Sequence, residues 1–169
     1  MILLGELVKE GIKMTKKSIF KLFLIICWMG VIFAFSAQDA KKSLDTSNKV
    51  IVVSAEVIKK RPLTNAEKTT VIDKYKVFIR KTAHFTIYFI LGILIYYFVK
   101  DYYPNSSKLI FLSLLVCFLY ATSDELHQTF SLGRTPQVRD VLIDTCGSLI
   151  SIMALFSISK FRQRYIKNR

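Results

Sequence analysis

The sequence predicts an all-α membrane protein, a four-transmembrane-helix bundle with amphipathic helices in a long first loop. Three observations carry this. Four long apolar runs alternate with basic segments along the chain. The hydrophobic fraction is 52% and the mean hydropathy +0.37 although 25 of the 169 residues are Lys or Arg, so apolar and charged residues are segregated. A chain of this length has too little interior to hide four such runs from water.

Residues 1–17 form a basic segment with Lys9, Lys13, Lys16 and Lys17, and both Met1 and Met14 fit as its start. The first span covers about 19–37; about 20 residues cross a bilayer, and Lys21 reaches back to the headgroups. A cut after Ala37 would put Phe35 where a signal peptidase wants a small residue, so the run reads as a retained span.

Residues 38–81 are polar and too long for a structureless loop. One amphipathic helix is expected over about 47–60, with Val50, Val53, Val57 and Ile58 on one side. A second starts at the capping box Thr64-Asn65-Ala66-Glu67 and continues through Val71, Ile72, Tyr75, Phe78 and Ile79 at helical spacing. Lys59, Lys60, Lys74, Lys76, Arg80 and Lys81 suit a helix on anionic lipid; a helix packed on the rest of the protein fits the pattern equally.

The remaining spans cover about 82–100, 107–126 and 141–159, and residues 161–169 form a basic tail. The charge-free parts of these spans are short, so residues 80–84, 124–128 and 140–144 are needed to complete them and lie at or near membrane depth. Positive charge on short segments favours the cytoplasm. Lys9 to Lys17, Lys100 with Lys108, and Lys160 to Arg169 therefore place both termini inside.

The net charge of +13 is compatible with nucleic acid or anionic lipid. The basic residues flank apolar runs and no nucleic-acid-binding pattern accompanies them, so a lipid bilayer with anionic headgroups is the expected partner and nucleic acid is not. Cys27, Cys117 and Cys146 fall in different runs without a CxxC and read as small buried hydrophobes, with no disulfide and no metal site. No cofactor is indicated.

Up-and-down connectivity brings four places to one face: the end of span one, the start of span two, the end of span three and the start of span four. These carry Ser36 and Gln38; Arg80, Lys81 and His84; Asp124, Glu125, His127 and Gln128; and Arg139, Asp140 and Asp144. His84 with Tyr88, Asp124 with Gln128, and Asp140 with Asp144 are spaced i,i+4, hence on one helix face. Ser148 and Ser151 continue the last stripe, and Gly30, Ala34 and Gln38 make another on span one, where small residues permit close helix approach. Buried ionisable groups cost at least ~2.5 kcal/mol each and seek partners, so Asp124, Glu125, Asp140 and Asp144 are expected opposite Arg80, Lys81, Arg134 and Arg139. Gly133 and Pro136 turn the third loop, bringing Arg134, a residue suited to carboxylate or phosphate, over the mouth of the bundle.

The blocks Phe35-Ser36-Ala37-Gln38, Arg80-Lys81-Thr82-Ala83-His84-Phe85 with Tyr88 and Gly92, Asp124-Glu125-Leu126-His127-Gln128-Thr129-Phe130 with Gly133-Arg134, and Asp140-Val141-Leu142-Ile143-Asp144-Thr145 with Gly147 resemble the VanZ-like family. Each block is weak alone; the ordered set, over roughly 20–160, is specific. Here Pro136 follows Gly133, whereas the family often places a proline before that glycine. The resemblance implies a small multi-pass protein of a bacterial plasma membrane, linked through its founding member to resistance to the glycopeptide antibiotic teicoplanin.

The ligand-binding candidates are Gln38, Arg80, His84, Tyr88, Asp124, Glu125, Gln128, Arg134, Arg139, Asp140 and Asp144. Three readings fit. They form an ion-paired structural glue, or bind a lipid, a lipid-linked cell-wall precursor or a glycopeptide, or belong to a membrane enzyme acting on a headgroup. For the enzyme the catalytic candidates are His84, Asp124, Glu125, His127 and Asp140, since a histidine oriented by a carboxylate serves as a general base.

Overall fold

The computed structural model describes residues 14–37, 40–104, 106–129 and 137–168, with side chains from residue 44 onward in the second helix. All regular structure among these residues is α-helical: α1 (Lys16–Ser36), α2 (Ala40–Lys59), α3 (Asn65–Val99), α4 (Ser107–Gln128) and α5 (Val138–Lys167). α1, α3, α4 and α5 are long and apolar enough to cross a membrane, as expected of an all-α membrane protein.

Helix starts are fixed by local chemistry. Thr15 caps α1 and Ser106 caps α4 through their hydroxyls. The predicted box at α3 forms, with Thr64 Oγ1 accepting from Glu67 N and Glu67 accepting from Thr64 N. α3 then runs unbroken for 35 residues, about 52 Å at 1.5 Å per residue. The second amphipathic helix and the second span, separate in the sequence reading, are one rod. No proline falls between Thr64 and Val99, so nothing stops the helix. Its apolar half is long enough to cross a bilayer core of about 30 Å, and its polar half projects beyond one end of the bundle. α2 begins earlier than expected and folds back on that projection after a turn in which Lys60 takes φ 53°. Ile51 and Leu63 are buried in this hairpin. Val50, Val53, Val57 and Ile58 stay exposed, so the stripe picked out in the sequence is not the one that packs.

α3 and α5 are the most extensive pair, and they run parallel. Lys81 meets Asp140, His84 meets Asp144, Ser148 Oγ donates to Tyr88 O at 3.0 Å, Tyr96 OH to Leu155 O at 3.2 Å, and Lys100 Nζ to Ser159 Oγ at 2.9 Å. Two glycines set their separation. A Cβ on Gly147 would strike the Phe85 carbonyl, and one on Gly92 would strike Ser151 Oγ and lie 2.9 Å from Ser148 Cα. Gly30, by contrast, has nothing within 4 Å, and Ala34 is exposed. The expected close approach along the Gly30 stripe therefore does not occur; Ile25 and Ile32 face inward instead, with Trp28 and Met29 packed against the core. Trp28 Nε1 donates to Ile87 O at 2.9 Å and Tyr120 OH to Met29 O at 2.6 Å, joining α1 to α3 and α4.

At the end opposite the hairpin, Lys21 Nζ pairs with Asp101 at 2.7 Å and Ser18 Oγ donates to the same carboxylate. The outward faces carry Phe20, Phe23, Ile26, Phe111, Ile150 and Ile158, all exposed. In water this belt would be costly; against acyl chains it is matched. The three cysteines are free, but only Cys117 is buried, so the expectation of three buried cysteines holds for one. Cys27 and Cys146 lie on outward faces, where an apolar side chain meets lipid as readily as core.

Candidate ligand site

The far end of the bundle gathers the polar residues, as connectivity predicts. Ser36 ends α1, His84 and Tyr88 lie in α3 where it enters the bundle, Asp124, Glu125 and Gln128 close α4, and Asp140 and Asp144 open α5. Gln38 and Arg134 lie outside the described residues. Asp124, Glu125, Gln128 and Asp144 are all buried, at 3–6% exposure for the first three and 2% for Asp144. Burial this deep calls for partners, and the partners are incomplete. Gln128 Nε2 reaches Asp124 Oδ2 at a long 3.4 Å. Ser36, His84 and Tyr88 surround Asp124. The hydroxyls of Ser36 and Tyr88 lie against Asp124, and His84 against Asp144, but none of them reaches good hydrogen-bond geometry. His84 Nδ1 stands 3.6 Å from Asp144 Oδ1, close enough for attraction but too far for a good hydrogen bond.

Beside this layer a cavity of about 430 Å³ opens between α2, the projecting part of α3 and the start of α5. Leu44, Val77 and Ile143 make its apolar wall; Lys76, Arg80, Lys81 and Arg139 bring positive charge; His84 and Asp144 also line it. Two of the cations are neutralised: Lys81 Nζ pairs with Asp140 at 3.1 Å and Lys76 Nζ with Asp73 at 2.7 Å. Arg80 and Arg139 have no ion pair among the described residues.

Of the expected pairings, Lys81 with Asp140 forms. Asp144 faces His84 rather than an arginine. Glu125, expected to meet a cation, accepts from the backbone N–H of Gln137. Gln137 precedes α5 and makes no side-chain cap, so Glu125 performs the capping from α4, where a carboxylate also suits the positive helix end. His127 turns away from the cavity and packs its ring on Phe33, centroids 4.3 Å apart.

Lys76, Lys81 and the apolar wall complete the cavity and were not among the candidate binding residues. Lys76 stands one helical turn before Arg80, a spacing legible once α3 is continuous. Leu44 arrives only because α2 folds back. Among the described residues no three His, Cys, Asp or Glu side chains form a group that could hold a metal ion.

A four-span helical bundle with a polar site at one end and a basic hairpin above it defines a multi-pass membrane protein. The chain belongs to the VanZ/LLP1 family, whose model matches residues 20–159, a stretch that covers most of each of the four spans and every site residue named above. Neither a curated protein nor a solved structure matches the chain.

Proposed function

We propose that this VanZ-like protein contributes to tolerance of teicoplanin-type glycopeptides in a bacterial plasma membrane, by engaging a lipid or lipid-linked cell-wall precursor in the polar site. VanZ-like proteins are linked in general to glycopeptide resistance. The observation that carries the reading is the cavity with Arg80 and Arg139 at its sides, neither ion-paired among the described residues, and half-buried His84 and buried Asp144 lining it. Structural glue would be expected to use its polar atoms on one another. Here Arg80 and Arg139, at the side of the cavity, have no ion pair among the described residues, which favours a ligand site. The basic residues at the opposite end, Lys16, Lys17, Lys100 and Lys160 among them, support cytoplasmic termini and hence a site on the outer face, where wall precursors and glycopeptides meet.

A second reading is an enzyme acting on the same headgroup. It rests on the His84 and Asp144 pair, an imidazole beside a carboxylate that could orient it for proton transfer.

The test is growth inhibition by teicoplanin in a susceptible host expressing wild type, His84→Ala, Asp124→Asn or Asp140→Asn, each at equal membrane abundance. Protection by wild type and its loss in the variants is the expected result. Equal behaviour of all four would remove the site from the resistance role.

A further inference from the structure

We infer that the cavity between α2, α3 and α5 is a receptor for the headgroup of a phospholipid that carries a hydroxyl beyond its phosphate. This rests on the reading that the polar end of the bundle takes a ligand, and it names the ligand's chemistry.

The charge distribution selects the phosphate. Four cations line or flank the cavity; Asp140 and Asp73 compensate Lys81 and Lys76. Arg80 and Arg139, one from α3 and one from α5, remain without an ion pair among the described residues. Two guanidiniums presented from different helices suit the oxygens of one phosphate, which Arg binds as a planar fork. The wall selects a lipid over a free ion. Leu44, Val77 and Ile143 offer an inorganic anion nothing, but they accept the glycerol and first methylenes of a chain. Val77 and Leu142 are more than half exposed, so apolar surface continues outward from the cavity.

Asp144 selects the hydroxyl. It lines the cavity at 2% exposure, and the cation nearest its Oδ1, His84 Nδ1, stands 3.6 Å away, beyond good hydrogen-bond length, which leaves that oxygen acceptor capacity. A carboxylate with only the more distant His84 beside it disfavours a plain anion. A headgroup with a hydroxyl past the phosphate donates to that oxygen while the guanidiniums hold the phosphate behind it. About 430 Å³ is within the range of small-molecule sites and fits a polyol phosphate.

The test uses the full chain in detergent, with dissociation constants from native mass spectrometry. Four probes separate the sources: dioctanoyl phosphatidylglycerol, dioctanoyl phosphatidylmethanol, dioctanoylglycerol and inorganic phosphate. The expected order is phosphatidylglycerol tightest, phosphatidylmethanol next, and the other two weak. Arg80→Gln with Arg139→Gln, at a half-buried and an exposed position, should weaken phosphatidylglycerol by about tenfold or more, as loss of charge-assisted hydrogen bonds implies. Asp144→Asn should narrow the gap between phosphatidylglycerol and phosphatidylmethanol.

Unchanged phosphatidylglycerol affinity in the double variant overturns the proposal, as does equal affinity for dioctanoylglycerol. Displacement of the lipid by equimolar inorganic phosphate would assign the site to a free anion and overturn it too. Loss of lipid binding with teicoplanin protection retained would uphold this site and sink the resistance reading; loss of protection with lipid affinity unchanged would do the reverse.

Discussion

Gly147→Ala should loosen the bundle, whereas the same change at Gly30 should not. At Gly147 the new methyl would collide with the Phe85 carbonyl and lie 3.2 and 3.3 Å from Phe85 C and Phe89 N. All three are backbone atoms of α3, so no side chain can turn aside. Carbon contacts settle at about 3.5–4.0 Å, so α3 and α5 must separate by roughly 0.5 Å or more. Overpacking of this kind costs about 1–3 kcal/mol. Separation also strains the bond from Ser148 Oγ to Tyr88 O, of a type worth about 0.6 kcal/mol inside membranes. Alanine's higher helix propensity returns at most about 1 kcal/mol. The net expectation is a loss of about 1–3 kcal/mol. At Gly30 nothing lies within 4 Å, so only the propensity remains and the change is neutral or stabilising by up to about 1 kcal/mol. Reversible unfolding in mixed micelles measures both, followed by the fluorescence of Trp28, the single tryptophan. If the two variants unfold within about 0.5 kcal/mol of each other, the close parallel packing of α3 on α5 is wrong.

Tyr120→Phe removes the 2.6 Å bond to Met29 O and should cost about 0.5–1.5 kcal/mol in the same assay; no change would mean α1 is not tied to α4 there. Thr64→Ala deletes the cap of α3 and should cost about 0.5–2 kcal/mol, read as faster amide exchange in the first turn of α3 with the span unaffected. Glu67 lies in the polar projection, outside the apolar span. Its hydrogen bonds from Arg61, then Lys59, then the Thr64 backbone hold its carboxyl below the ordinary carboxylate range. A lowered pKa gives stability that is present above the ordinary value and lost as pH falls through the lowered one. The hairpin should therefore keep its helical signal on acidification through the ordinary range around 4.5 and lose this contribution only in stronger acid. Carboxyl chemical shifts of Glu67 check it, and titration at the ordinary value would refute the Arg61 contact.

The spans and the one-sided cluster were legible because each depends on local chemistry and chain direction alone. An apolar run flanked by Lys81 and Lys100 has one comfortable place in a bilayer, and four alternating spans force Ser36, His84, Asp124 and Asp144 to one end. The capping box at Thr64 was legible for the same reason. What escaped was tertiary. Nothing in residues 44–60 says which of two apolar stripes on α2 will pack, since Ile51 and Val50 are neighbours with equal claim. Gly30 and Gly147 look alike in a list of small residues; only the neighbour decides which is essential. Glu125 was legible as an acid at this end of the bundle, but its partner, the N–H of Gln137 twelve residues on, was not, because that contact is between the ends of two different helices.

Continuity of α3 ties these features together. The rod carries Lys76, Arg80 and Lys81 above the bundle and His84 and Tyr88 inside it, on successive turns of one helix. Below it packs closely on α5 at Gly92 and Gly147, and above it is braced by Ile51 of α2 and Leu63 of the turn that follows. A ligand held between Arg80 on α3 and Arg139 on α5 therefore bridges the two helices whose separation the glycines set. Widening that pair by the Gly147→Ala methyl should weaken phosphate binding even though no cavity residue is altered. An affinity for phosphatidylglycerol unchanged in Gly147→Ala, alongside a measurable loss of stability, would mean that packing and site are independent.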